Sequence, residues 1–123
     1  MTNVKVPSYI LSVFEEDCRE LKIPENFIIE LFSYPPAHEF GDRGGFCKPI
    51  SVDGKKGVVI GFREGNKRET LGNFRHNMKH AQQFFTEDCN NPIFDELAAY
   101  FYEMKKGLED KTKGIYRKLT RKD

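Results

Sequence analysis

Apolar residues recur at three- and four-residue intervals in three separate segments of this chain, and this periodicity predicts that each segment is an amphipathic helix. The first segment runs from about Ser8 to Lys22, and the second from Glu69 to Phe85. The third runs from Pro92 to Lys106. Asn91 is its predicted N-terminal cap, and Gly107 is its predicted end. The sequence therefore predicts three helices.

Three short runs of β-branched and aromatic residues lie between the first and second helical segments. Phe27 to Tyr34 is stopped by a Pro-Pro pair, whereas Phe46 to Val52 and Gly57 to Arg63 flank the polar turn 53–56. Such runs indicate strands, and the short turn predicts a hairpin. The expected fold is α+β: an N-terminal helix, a three-stranded sheet, two further helices and a helical C-terminal tail.

A chain of 123 residues, with 38% hydrophobic and 32% charged residues, suits one domain spanning 1–123. The last part of that domain, 108–123, is a basic segment. Three cysteines do not provide the even framework of small secreted proteins. Residues 1–17 lack the pattern of a signal peptide, and no apolar run approaches the roughly 20 residues of a membrane-spanning helix. These features predict a cytoplasmic protein that is not bound to a membrane.

Two histidines four residues apart, His76 and His80, lie in the second helical segment. At this spacing both imidazoles project from one helix face, about 6 Å apart along the axis, so both can bind one ion. A zinc site of this kind needs a third protein ligand and keeps a fourth position for water. Because histidine pairs also occur on helices for packing or solubility, the pair alone is weak evidence for a metal.

Glu96 is the leading candidate for the third ligand, because it lies in the first turn of the next helix, after a connector that lets the two helices pack together. Its neighbours Phe94 and Leu97 are expected in the core. Two other carboxylates, Asp95 and Glu103, and one thiolate, Cys89, are competing candidates for this ligand. A purely structural alternative also stands, since an acid in the first turn is favoured by the helix dipole.

The chain resembles the gluzincin metallopeptidases, and among them the small soluble minigluzincins. In that family a helix and a three-stranded sheet precede a helix with the motif HExxH, and a later helix carries a zinc-binding Glu in an ExxxD-like motif. Residues 8–106 have the same order, with His76-Asn-Met-Lys-His80 and Glu96-Leu-Ala-Ala-Tyr100 at the two motifs. The resemblance implies that His76, His80 and Glu96 bind Zn²⁺.

Two positions depart from the family's pattern. Asn77 stands where the family has the glutamate that acts as general base, and Tyr100 stands where it has an acidic residue that orients a ligand histidine. An amide is not a base near neutral pH, and losing a positioned acid/base group typically costs about 10² to 10⁴ in rate. We therefore expect a small zinc metallopeptidase that is latent or inactive as written. The alternative is a catalytically dead zinc-binding module that binds peptides or a protein partner.

The resemblance also suggests how a peptide would bind and how the cleft would be closed. One segment is similar to the rim strand whose exposed edge adds an extended substrate as an extra strand. It consists of Val58, Val59, Ile60, Gly61 and Phe62. The same segment is equally suited to be an ordinary sheet strand.

Minigluzincins are thought to be latent, which implies that 108–123 covers the cleft. The basic charge of this segment leaves a nucleic-acid-associated protein as a further alternative. That alternative is less favoured, because Tyr116 is the segment's only aromatic residue and no nucleic-acid-reading motif is present.

Overall fold

The computed structural model describes residues 3–4, 6–35, 44–86 and 91–120, with side chains described for 6–35, 44–86 and 91–113. Seven elements follow in chain order: β1 (Asn3–Val4), α1 (Ser8–Glu20), β2 (Ile28–Tyr34), β3 (Gly45–Val52), β4 (Lys55–Arg63), α2 (Lys67–Thr86) and α3 (Pro92–Thr120). The predicted α+β fold and its order of elements are confirmed. The two-residue β1 joins the three expected strands, and it is too short to leave a pattern in the sequence.

The sheet has the order β1-β2-β4-β3. β2 runs parallel to both β1 and β4, whereas β3 and β4 form an antiparallel hairpin. Asp53 and Gly54 make the turn with positive φ angles of 52° and 78°, which a two-residue hairpin of type I′ requires. The predicted hairpin is therefore confirmed, and its turn chemistry explains why Asp-Gly stands there.

The position of β4 corrects the expectation that Val58–Phe62 is an exposed rim strand. Val58 pairs with Ile29 of β2 on one side and with Pro49 of β3 on the other. Because β4 is paired along both edges, it cannot add a peptide as a further strand. Its inward side chains are instead completely buried in the core: Val58, Ile60 and Phe62.

α2 packs across the sheet through a strip of apolar side chains. Phe74 and Met78 are completely buried, and the Phe74 ring contacts Phe62 of β4 edge-on with 5.6 Å between centroids. Burial of such a side chain contributes about 1.5–3 kcal/mol. Residues two positions further along lie about 200° around the helix. Fixing Phe74 and Met78 in the core therefore turns His76 and His80 away from it, toward α3.

A buried arginine joins the three helices. Arg75 of α2 donates Nε to Asp17 Oδ2 of α1 at 3.3 Å and donates Nη1 to Asp110 of α3. The side chains of Arg75 and Asp17 are only 3% and 0% exposed. Burial raises the pKa of Asp17 to about 6, although the positive charges of Arg75 and Lys106 act to lower it. The ion pair is thus retained at a substantial desolvation cost.

A second buried cation, Lys106 of α3, extends this network. Its Nζ lies 3.0 Å from Glu20 Oε2 of α1 and 2.9 Å from Glu109 Oε2. Gly107, the predicted end of the third helix, follows directly, yet α3 continues to Thr120. Glycine costs a helix only about 1 kcal/mol relative to alanine. The ion pairs of Lys106 and Asp110 hold the helix on both sides of the glycine, so the predicted end was wrong.

α3 faces the rest of the molecule with a side that combines small, aromatic and charged residues. Ala99, Tyr102 and Lys106 are 0%, 7% and 2% exposed, whereas Phe94 and Leu97 are 67% and 45% exposed. The expectation that Phe94 and Leu97 lie in the core was wrong. Their helix is anchored by charges on its opposite side, which leaves its apolar residues outside.

Two further findings concern the described residues alone. Cys18 and Cys47 are not joined in a disulfide. None of the helices, over the ranges that the structure covers, combines the length and the apolar character needed to cross a bilayer.

The raised pKa of Asp17 makes its contribution to stability depend on pH. The carboxyl ionises near 3.8 when the chain is unfolded and near 6 when it is folded, so the folded state binds the proton more tightly. The contribution is fully present below about pH 4 and is lost as the pH rises through about 6. The free energy of unfolding is measured in urea for wild type and for Asp17→Asn. The wild-type value minus the variant value should fall by about 2–3 kcal/mol as the pH rises over this range. A difference that stays constant from acid to neutral pH would contradict the assignment.

Candidate metal centre

The antiparallel packing of α2 and α3 brings the two predicted motifs together. Asn91 accepts a hydrogen bond from Ile93 N at 3.0 Å, which confirms the predicted cap, and Pro92 starts the helix. Glu96 then lies directly after the first turn of α3, beside the face of α2 that carries His76 and His80. The element order alone had suggested this meeting, and the structure shows it.

The three side chains converge on one point through defined atoms. His80 Nε2 lies 2.8 Å from Glu96 Oε1, and His76 Nε2 lies 3.1 Å from Glu96 Oε2. One ligand atom from each residue lies within 4.8 Å of the other two. Ligands of a tetrahedral zinc at about 2.0 Å are roughly 3.3 Å apart, so the three ligand atoms would draw closer together on binding an ion. His76, His80 and Glu96 could therefore hold a metal ion.

The orientation of His80 follows from a chain of hydrogen bonds. Gln83 donates its Nε2 to the Asp95 carbonyl at 3.0 Å, so its Oε1 must be the atom that lies 2.8 Å from His80 Nδ1. Because that oxygen only accepts, Nδ1 carries the proton. A neutral His80 then presents the lone pair of Nε2 toward Glu96.

His76 is held in the same way by a carboxylate. Its Nδ1 lies 3.2 Å from Glu103 Oε1, while its Nε2 faces Glu96. Gly72 permits this approach, since a Cβ there would meet Glu103 Oε2 at 3.1 Å. A second carboxylate that fixes the outer nitrogen is the usual support of a metal-binding histidine.

This contact bears on Tyr100, which departs from the family's pattern at the position of the acid that orients a ligand histidine. Tyr100 does touch His76, but through its ring, edge-on with 4.6 Å between centroids. The carboxylate that performs the orienting role comes from Glu103, one helical turn later, which the sequence analysis considered only as a competing ligand. Tyr100 therefore packs against the ligand, and Glu103 hydrogen bonds to it.

The cluster offers more acceptors than two neutral imidazoles can satisfy. A neutral imidazole donates one hydrogen bond, yet His76 faces carboxylates at both nitrogens and His80 faces oxygen acceptors at both. Two acceptors cannot face each other favourably without a proton or a metal ion between them. Both histidines have their outer nitrogens supplied with acceptors, so a single cation between the two Nε2 atoms and Glu96 would balance the whole group.

Comparisons with protein-family models, with curated proteins and with solved structures gave no match. The resemblance to the minigluzincins accordingly stays a prediction from the residues that carry it, and the site is argued from its own geometry.

Asn77 lies next to this group with its side chain engaged. It is 3% exposed, and its Nδ2 donates to the Asn73 carbonyl one turn earlier at 2.9 Å. The start of β3 packs directly on it, since a Cβ at Gly45 would collide with the Asn77 amide. The position that carries the base in the related pattern is thus occupied by an amide that hydrogen bonds to its own helix.

An open cavity of about 470 Å³ lies over the cluster. Its walls come from α2, from α3 and from the beginning of β3, where Gly45, Phe46 and Cys47 line it. None of the described lining residues is a lysine or an arginine. A ligand that enters this cavity would therefore meet His76, His80, Glu96 and aromatic rings and, among the described residues, no basic side chain other than the histidines.

The remaining candidates take other places. Asp95 contributes its backbone carbonyl to Gln83 and is not part of the converging group. Cys89 lies outside the described residues. Gln83 was not predicted from the sequence. Its position three residues after His80 could have indicated this contact, because residues at this spacing are neighbours on a helix.

Removing the support of His76 should weaken metal binding without removing a ligand. We expect Glu103→Gln to lower zinc affinity roughly 10- to 100-fold, the usual effect of losing such a partner. Glu96→Gln should cost more, because it changes a ligand. Competition with a chromogenic chelator measures both, and Glu25→Gln, which removes an exposed carboxylate elsewhere, is the matched control. Equal affinities for wild type and Glu103→Gln would contradict the role given to Glu103.

Proposed function

We propose that the chain binds one zinc ion through His76, His80 and Glu96, and that it is a minigluzincin-type metallopeptidase scaffold that Asn77 leaves hydrolytically inactive. The observation that carries the proposal is the convergence of the two Nε2 atoms and a carboxylate, with both outer nitrogens already supplied with acceptors. A group arranged in this way is favourable with protons on the inner nitrogens or with a metal ion at its centre, and the metal ion would engage all three side chains at once.

The donor set supports zinc among the biological metals. Two imidazoles and one carboxylate are the protein ligands of many open zinc sites, whereas calcium and magnesium prefer oxygen ligands. The His76 and His80 side chains are 15% and 16% exposed, and that of Glu96 is 52% exposed. Since the cavity lies directly over them, a fourth coordination position would remain accessible from solvent.

The chemistry available to such a site depends on a proton acceptor. Bound zinc polarises a carbonyl and lowers the pKa of water to about 7, but hydrolysis also needs a side chain that takes the proton and passes it on. Asn77 cannot take it, and its amide already donates to Asn73. Glu103 is engaged with His76, so it cannot replace the base without giving up the orientation of that histidine.

The same features support binding of a peptide or a protein partner at the cavity. Among the strands of the sheet, β3 borders this space, through Gly45–Cys47. An extended peptide in the cavity would therefore run beside β3 and not beside β4. A peptide carbonyl or carboxylate would reach the metal, and Phe46, Phe84 and Tyr100 would contact its side chains. This is the binding-module form of the proposal.

The nucleic-acid alternative has less support. Lys113 lies 3.7 Å from Glu16, and Lys106 contacts Glu20 and Glu109, so these lysines of α3 are paired with acids of the same molecule. The described side chains of 108–113 line no part of the cavity. Coverage of the cleft by the later residues stays a prediction. The cytoplasmic location likewise stays a prediction from the sequence.

Replacing the amide by a carboxylate should supply the missing base. We expect Asn77→Glu to hydrolyse a mixed peptide library about 10² to 10⁴ times faster than wild type at matched zinc occupancy. Residue 77 directly follows a ligand on the helix, so a Glu there reaches the cavity without binding the ion. Zinc affinity should change little. Mass spectrometry of the library before and after incubation measures the cleavage.

Asn77→Gln is the matched control, because it has the size of Glu without its basicity. Hydrolysis by the Glu variant alone supports the metallopeptidase scaffold. If the Glu variant binds zinc and still cleaves nothing, also after removal of the last residues of the chain, the peptidase architecture is refuted and the binding module remains. A protein that binds no zinc would overturn both.

A further inference from the structure

The outward side of α3 carries a continuous apolar stripe. Five of its residues are 45–71% exposed, as are the two residues that flank them, Ile93 and Tyr100. We call the five the outer stripe: Phe94, Leu97, Phe101, Met104 and Leu108. The ion pairs of Arg75 and Lys106 fix the opposite side of the helix, so α3 cannot rotate to bury the stripe within its own chain.

The spacing of the outer stripe is that of a coiled-coil seam. Its members follow at steps of three, four, three and four residues, which are the a and d positions of a heptad repeat. A strict alternation of three and four favours a partner that is itself a helix with the same repeat.

The exposed area is also that of an interface. At roughly 200 Å² for a large apolar side chain, the stripe and its two flanking residues present about 800 Å². Monomeric proteins rarely leave contiguous apolar patches above a few hundred Å², and a standard protein interface buries about 800 Å² on each partner. The outer stripe and its two flanking residues therefore expose about as much area on one copy as a standard interface buries on each partner.

The residues beside the seam allow two copies to approach. The positions on one side are Ala98, Lys105 and Thr112, and those on the other include Ile93, Tyr100 and Gly107. Lys105 is the one charged residue of these six, and it lies 3.6 Å from Glu20 of its own chain. Like charges therefore do not crowd the seam, since Lys105 is already paired within its own chain.

From these observations we infer that the chain forms a homodimer in which the outer stripe of α3 packs against the outer stripe of a second copy. The contact is isologous, with the same residues on both sides of a two-fold axis. The interface lies on the side of α3 opposite its contacts with α1. The inference does not require a metal ion, because the stripe exists whether or not the cluster binds one.

Sedimentation velocity of the full chain over a concentration series tests the dimer. Wild type should sediment as a dimer that dissociates on dilution. Phe101→Glu and Leu108→Glu each place two charges in the seam and should raise the dimer dissociation constant roughly 30-fold or more, as for loss of an interface anchor. Both residues are about 65% exposed, so the variants should remain folded by circular dichroism.

Val52→Glu is the matched control, since it introduces the same charge at an exposed apolar residue of β3, and it should leave the dimer unchanged. A wild type that is monomeric at every concentration overturns the inference. If that monomer binds phosphatidylcholine vesicles, the stripe is assigned to a lipid surface and the inference is overturned as well. A dimer that survives both stripe variants also overturns it, because the contact would then lie elsewhere.

Discussion

The way in which α3 docks through its charged side decides most of this structure. Arg75 connects Asp17 of α1 with Asp110 of α3, and Lys106 connects Glu20 with Glu109. Buried ion pairs contribute little net stability, but breaking one leaves an uncompensated charge and costs several kcal/mol. They therefore act mainly by excluding other orientations of α3. One orientation remains, and it brings Glu96 and Glu103 to the histidines while it turns the apolar stripe outward.

The candidate metal centre depends on this docking more than on the histidine pair. An exposed pair on α2 alone would have free outer nitrogens and variable ring orientations. Here Glu103 and Gln83 take the outer nitrogens, so the inner ones point at Glu96. Preorganisation of this kind is what distinguishes a metal site from a chance meeting of histidines with an acid. Beside this group, Asn77 offers no base, because its amide donates to the Asn73 carbonyl of its own helix.

The sequence predicted those features that depend on local patterns. The periodicity of Phe74 and Met78, the Asp-Gly turn and the Asn91 cap act over a few residues, so they could be recognised without tertiary information. The side of α3 that packs could not be recognised, because an apolar stripe normally indicates the core, and Phe94 and Leu97 were misplaced for that reason. The interior position of β4 depends on strand order, which short apolar runs do not encode. Glu103 could be assigned its role only once the contact of α2 with α3 was known.

The central claim is that one zinc ion binds between two imidazoles and a carboxylate, and X-ray absorption of the zinc-loaded protein at its metal edge tests it most directly. The account predicts one zinc per chain, nitrogen and oxygen neighbours at about 2.0–2.2 Å, the multiple-scattering pattern of two imidazoles, and loss of the site in His76→Ala. A sulfur neighbour at about 2.3 Å would mean that a cysteine such as Cys89 or Cys47 supplies a ligand. That result, or a folded protein that retains no zinc, would contradict the site described for His76, His80 and Glu96.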